Sequence, residues 1–118
     1  MKNSKLEPIA RVVHEALSAW RVANGQDPYQ SWDLAPDWMR QSTIESVEHV
    51  LKNPDGPAST QHRQWMAQKK RDGWVFGPTR DDKRKIHPLL VPYSKLPRQE
   101  RLKDALLIAI VKSLSGKR

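Results

Sequence analysis

The chain reads as a mainly α domain, a compact four-helix unit with a short β-hairpin. Three observations lead there. Apolar residues recur at helical spacing in separated stretches. Gly and Pro punctuate the segments between them, most densely in Gly73–Tyr93. At 118 residues the chain is long enough for one proper core but not for two. Residues 1–118 are therefore expected to form one domain, with a core of about 8–114 and a basic tail at 115–118.

The first helix is expected over 8–24. Pro8 suits a first helical turn, and Gly25 suits the position just past the end. Ile9, Val12, Val13, Ala16, Trp20 and Ala23 form its core stripe, with Leu17 at the margin. His14, Ser18 and Arg21 run beside that stripe, which lets His14 reach a pocket at the edge of the core. Gly25–Ala35 is a loop that carries two large residues, Tyr29 and Trp32. A second helix is expected over 36–52, stopping before Asn53-Pro54. Its core stripe is Met39, Thr43, Val47, Val50 and Leu51, with Ile44 at the margin, while Trp38 shares another face with Ser42, Glu45 and His49. A third helix over 59–72, with Ser59 or Thr60 as N-cap, has thin apolar content: Trp65, Met66, Ala67 and the stem of Lys69.

Gly73–Tyr93 (GWVFGPTRDDKRKIHPLLVPY) organises the rest. Within 74–91, Trp74–Phe76 and Ile86–Val91 are expected to pair as a hairpin around the charged tip Arg80–Lys85. A fourth helix is expected over 97–114. Its stretch Ala105–Val111 is apolar nearly all round, which makes it either the central core element or the owner of a second face for a partner. On the second alternative, Leu107, Val111 or Leu114 would be buried across a two-fold axis in a homodimer.

Composition limits the function. The formal net charge of +8 favours an anionic partner. Five Trp against one Phe supply flat surfaces suited to stacking. With no Cys, there is neither a disulfide framework nor a Cys-zinc site, which fits a reducing compartment. The segment MKNSKLEPIARVV lacks the apolar core of a signal peptide. The longest apolar run falls well short of the roughly 18 residues a membrane span needs. A cytoplasmic, membrane-free protein is expected.

Chemistry-bearing motifs are sparse. There is no Gly-rich phosphate loop, no HExxH and no GxSxG. His14, His49, His62 and His87 lack paired metal-ligand spacing. No catalytic residue, metal site or cofactor is expected, and the chain reads better as a binding module than as an enzyme.

The order of several short pieces resembles a known family. HEA…W (His14 to Trp20), W…APDW (Trp32, Ala35–Trp38), NPD (Asn53–Asp55), H..W (His62, Trp65), DGWVFGP (Asp72–Pro78), K.HP..VPY..LP (Lys85–Pro97) and KDAL (Lys103–Leu106) follow one another as in the RyR domain, the repeat named for ryanodine receptors. The resemblance spans about residues 8 to 112 and is most specific at DGWVFGP followed by HPLLVPY. It implies a compact, mostly helical domain without established catalysis, here as a single repeat of the bacterial or phage type, in a signalling or conflict-system setting. It also implies a polar cleft around His14, Arg80, Lys85, His87 and Tyr93. The sequence departs from the family pattern where Leu17 and Ser18 stand for the usual Asn and Arg, and where Ile86 stands for a Thr.

Both lines of reasoning point to one surface: His14 and Ser18 on the first helix, Trp32 and Trp38, and Arg80, Lys85, His87 and Tyr93. Cations for a phosphate and rings for a base make a nucleotide pocket the expected use. Lys85 and Arg80 would hold the phosphate, His87 and His14 would add hydrogen bonds, and Trp32 or Trp38 would stack. A protein-interaction module without a small ligand is the alternative. Nucleic-acid binding, argued from charge alone, is the third reading, and the spread of the basic residues weighs against it.

Overall fold

The computed structural model describes residues 2–116, with side chains from Lys5 onward; Lys117 and Arg118 of the expected basic tail lie outside the described residues. Four helices follow in order: α1 (Lys2–Ala23), α2 (Asp37–Lys52), α3 (Ala58–Arg71) and α4 (Arg98–Ser115). Between α3 and α4 lie two short strands, β1 (Val75–Phe76) and β2 (Ile86–His87), and a 3₁₀ turn at Tyr93–Lys95. The fold is mainly α.

The core is built by α1, α2 and α4. Ala10, Val13, Ile44, Val47, Val50, Leu107 and Val111 form one buried cluster, and Trp32 joins it from the loop after α1. α1 starts earlier than Pro8 suggested. Proline forfeits one backbone hydrogen bond there, but Leu6 and Ile9 on either side of it pack against the core and hold the helix straight through. The buried face of α1 is also turned from the expected stripe. Val12 is 45% exposed and Ala23 lies on the surface, while His14 and Ser18 point inward.

The reason is the loop that follows α1. His14 Nε2–H donates to the Gln30 carbonyl at 2.7 Å, the Glu15 carboxylate accepts from the Trp32 N–H, and Ser18 Oγ accepts from the Tyr29 N–H. Three polar side chains of one helix thus satisfy backbone groups of a loop that has no regular structure of its own.

α3 has no side-chain N-cap; Pro57 occupies that place instead of Ser59 or Thr60, and the helix begins at Ala58. Arg71 at its end reaches back to α2 with a two-pronged contact to Glu45 at 2.9 and 3.1 Å. α4 closes on Gly116, whose φ of +77° is the left-handed conformation of a helix C-terminus. Leu107 and Val111, the residues offered to a two-fold interface, are buried within the protomer, and Leu114 is exposed.

The expected hairpin is replaced by a parallel pair. Val75 lies opposite Ile86, and Phe76 opposite His87. The reversal happens earlier, in a tight loop where Asp81 and Ile86 exchange both backbone hydrogen bonds at 2.9 Å. That local antiparallel bridge turns the chain back on itself, so β2 departs alongside β1 rather than against it. Lys85 takes a left-handed φ of +58° at the bend. Gly77 is required by close approach: a Cβ there would stand 2.3 Å from Ile86 Cγ2. We expect Gly77→Ala to destabilise the domain by about 1–3 kcal/mol, the usual range for overpacking, measured by urea denaturation. An unchanged midpoint would show that the β1–β2 contact yields freely.

Candidate functional site

A cleft of about 140 Å³ opens where the four helices meet the segment that carries β1 and β2. Its walls come from every part of the fold: His14 and Arg21 of α1, Tyr29 of the loop, Trp38 and Ser42 of α2, Gln61, His62, Trp65 and Lys69 of α3, Trp74, Arg80 and His87 of the β segment, and Glu100, Lys103 and Asp104 of α4.

α3 explains why this side of the domain is hollow. Its buried residues are Gln61, His62, Gln68 and Lys69, all polar. A face of that composition cannot close onto an apolar core without leaving polar groups unpaired. Some find partners nearby. His62 Nε2–H donates to the Val91 carbonyl at 2.7 Å, and the Gln68 amide meets Ser42 through its hydroxyl and its carbonyl. The rest of the face borders the cleft.

Aromatic rings run around it in sequence. Trp38 lies 5.5 Å from Trp74, Trp74 lies 6.0 Å from His87, and His87 meets Trp65 edge-on at 4.9 Å. Trp65 stacks on His62 at 5.6 Å, and Tyr93 closes the series from outside the cleft. His87 Nδ1 accepts from the Leu89 N–H at 3.1 Å, which fixes the neutral tautomer with its proton on Nε2. A proton on Nδ1 would face that donor. Burial, with Arg80, Lys103 and Lys69 adding to it, holds the His87 pKa down to about 3.

Four cations line the cleft, and three have partners. Arg21 donates to the Asp27 carbonyl at 2.7 Å and lies over the Tyr29 ring at 4.7 Å. Arg80 is held by Asp82 at 2.7 and 3.3 Å. The Lys103 ammonium sits 2.7 Å from Glu100. Lys69 differs. It is only 4% exposed, and its ammonium lies over both the Trp38 and the Trp74 ring, 4.9 and 5.1 Å from the ring centres. Among the described residues it has no ion pair and no hydrogen-bond acceptor. Burial lowers its pKa to about 8, opposed by Asp72.

The acidic side lies on α4. Glu100, Lys103, Asp104 and Leu107 follow the i, i+3, i+4, i+7 spacing of one helix face, so two carboxylates one turn apart enter a partly dry site. Burial pushes the Asp104 pKa up to about 7, with Lys103 opposing. Asp104 Oδ2 and Gln61 Oε1 are fully buried and have no hydrogen-bond partner. No cluster of three or more metal-ligating side chains is formed among the described residues.

Of the residues singled out from sequence, His14, Trp38, Arg80 and His87 line the cleft. The other four do not. Trp32 is 2% exposed in the apolar core. Ser18 is used by the Tyr29 backbone. Lys85 is exposed and donates to the Asp72 carbonyl at 2.8 Å, which places it at the C-terminal end of α3. Tyr93 lies behind His62. The sequence reading missed Gln61, Glu100, Lys103 and Asp104 and took only the apolar stem of Lys69. The signal for the α4 residues was present: a polar triplet runs directly onto the apolar face at Leu107.

Asp104 gives this electrostatic account a test. A carboxyl whose folded pKa is raised stabilises the fold below its unfolded value near 4, and that stability is lost as pH rises through 7. Asp104→Asn should therefore match wild type near pH 4 and be more stable by about 1–3 kcal/mol at pH 8, by denaturant melts. In the same variant stability should fall as pH drops from 6.5 toward 3, because His87 and His62, both depressed by burial, must then take up protons. A variant less stable than wild type at pH 8 would show that the carboxylate is solvated or paired.

No described helix is long and apolar enough to cross a membrane. The family description RyR domain matches residues 35–114, which takes in α2, α3, the β segment and α4, while α1 and the loop that carries Tyr29 and Trp32 precede the matched span. With about two thirds of its length matched, and with the helical fold described above, the chain belongs to the RyR domain family.

Proposed function

We propose that the domain is a non-catalytic receptor for a small anionic ligand, nucleotide-like in character, bound in the cleft between α3, α4 and the β segment. The observation that carries this reading is Lys69. A buried ammonium is expensive to hold without a counter-ion, and two Trp faces compensate only in part, by about 2 kcal/mol in a dry site. A lysine kept there over two indoles, at the edge of open volume, is suited to an anion that arrives from outside.

The rest of the lining supports the same reading. The neighbouring cations are already engaged, so they set a positive field without competing for the ligand. Trp38 is 40% exposed and sits over Lys69, which puts the anion near the mouth. The cleft volume of about 140 Å³ compares with an apolar cavity that holds one benzene (about 150 Å³). A single ring fits inside; the remainder of a nucleotide would lie toward the mouth. The catalytic reading has little to stand on, since the cleft has no nucleophile paired with a base.

Lys69→Met should weaken binding of a nucleoside monophosphate about tenfold to hundredfold, the loss of one hydrogen bond to a charged group, in isothermal titration calorimetry. Lys85→Ala, outside the cleft, should bind as wild type does. The sign with pH follows from Lys69: only the ammonium attracts the anion, so affinity should fall as pH rises past about 8, by about tenfold or more between pH 7 and 9.5. Equal affinity in Lys69→Met, or affinity that rises with pH, would remove Lys69 from the site and the reading with it.

A further inference from the structure

The cleft has a second pole that an anion does not satisfy. Gln61 is 2% exposed, and its amide N–H donates to Gln64 at a long 3.4 Å. Its Oε1 is buried with no partner. Asp104 Oδ2 is in the same condition. The two residues come from different helices, α3 and α4, and line the same cavity. Lys103, the cation closest along the chain, is taken by Glu100 at 2.7 Å.

Buried polar atoms in folded proteins are nearly always hydrogen-bonded, and an exception calls for a missing partner. Glu100 Oε1, a third such atom, has the Lys103 ammonium beside it; the other two, on different helices lining one cleft, are both acceptors when Asp104 is ionised. A ligand group that meets the Gln61 carbonyl and the Asp104 carboxylate must therefore donate. A carbonyl edge would place oxygen against oxygen and leave all the groups unpaired, and a site that hydrogen-bonds its ligand discriminates strongly on this ground.

We infer that the cleft selects a ligand whose ring end bears amino N–H donors, read by Gln61 and Asp104, while its anionic end lies at Lys69. This rests on the anion-receptor reading and adds to it the chemical class of the inner end: an amino-bearing, single-ring base rather than its oxo counterpart. The cleft volume of about 140 Å³ suits a single ring, and the direction of the ligand follows from Lys69 lying beneath the exposed Trp38.

Cytidine and uridine 5′-monophosphate form a matched pair for the test. They share ribose and phosphate and differ where the ring carries an amino group or a carbonyl. Titration calorimetry on the full chain should give cytidine monophosphate an advantage of about tenfold to hundredfold. Gln61→Met and Asp104→Leu, which keep the volume and remove the acceptors, should each narrow that ratio, and Lys69→Met should weaken both nucleotides alike while leaving the ratio intact. Thermal melts of the variants establish that they are folded, and the wild-type ratio stands whatever a variant does. Equal binding of the two nucleotides, both still dependent on Lys69, would overturn the donor selection and leave the anion reading in place. A ratio unmoved by both acceptor variants would also overturn it. Failure of either nucleotide to bind at millimolar concentration would overturn both.

Discussion

The polar inner face of α3 is the constraint on which the domain depends. α1, α2 and α4 bury aliphatic side chains against one another in one apolar cluster. α3 brings Gln61, His62, Gln68 and Lys69 to the interior, and each of those groups has to be met by a specific partner or by the cleft. The neighbouring segments are arranged around that need. The backbone at Val91 is held by His62, Ser42 by Gln68, and the two indoles of Trp38 and Trp74 by the Lys69 ammonium. The β segment adds little area of its own. Its role is to carry Trp74 and His87 to the cleft, where their rings lie 6.0 Å apart.

The energetic consequence is a division of labour. The apolar cluster around Val13, Val47 and Val111 stabilises the fold, at roughly 25 cal/mol for each Å² of apolar surface removed from water. The cleft works in the other direction. Lys69 is pushed toward neutrality, Asp104 toward its acid form, and His87 is held uncharged, so each of these groups is disfavoured in its charged state by the place it occupies. Groups that oppose stability while lining open volume are commonly found where a protein has a task to perform.

The helices were legible in the sequence because their cues are local. Periodic apolar residues and the Gly or Pro near each end placed all four within a few residues, except for the start of α1, where packing of Leu6 overrode the proline signal. The strand pairing was not legible. Two-residue strands carry almost no periodic signal, and the register was decided by a turn at Asp81–Ile86 that looks like charged loop in the sequence. The cleft was half legible for a similar reason. His14, Trp38, Arg80 and His87 stand out as polar or aromatic residues in unexpected places. Glu100, Lys103 and Asp104 look like ordinary solvated charges at the start of a helix, and only the tertiary fold turns them inward. Lys85, close to His87 in sequence, reaches the Asp72 carbonyl at the end of α3 instead of the cleft.

The family span begins at Ala35, but the folded unit does not. α1 covers Val47 and Val111, and the loop after it inserts Trp32 into the same cluster. His14, Glu15 and Ser18 tie that loop down. A fragment trimmed to 35–114 would keep most of the aromatic cleft but expose one side of the core, a contiguous apolar surface of the kind that drives aggregation. The span that matches the family and the helix that covers one side of the core are therefore different. Any excision, fusion or tandem arrangement of this domain has to carry the first 34 residues with it or supply a substitute for them.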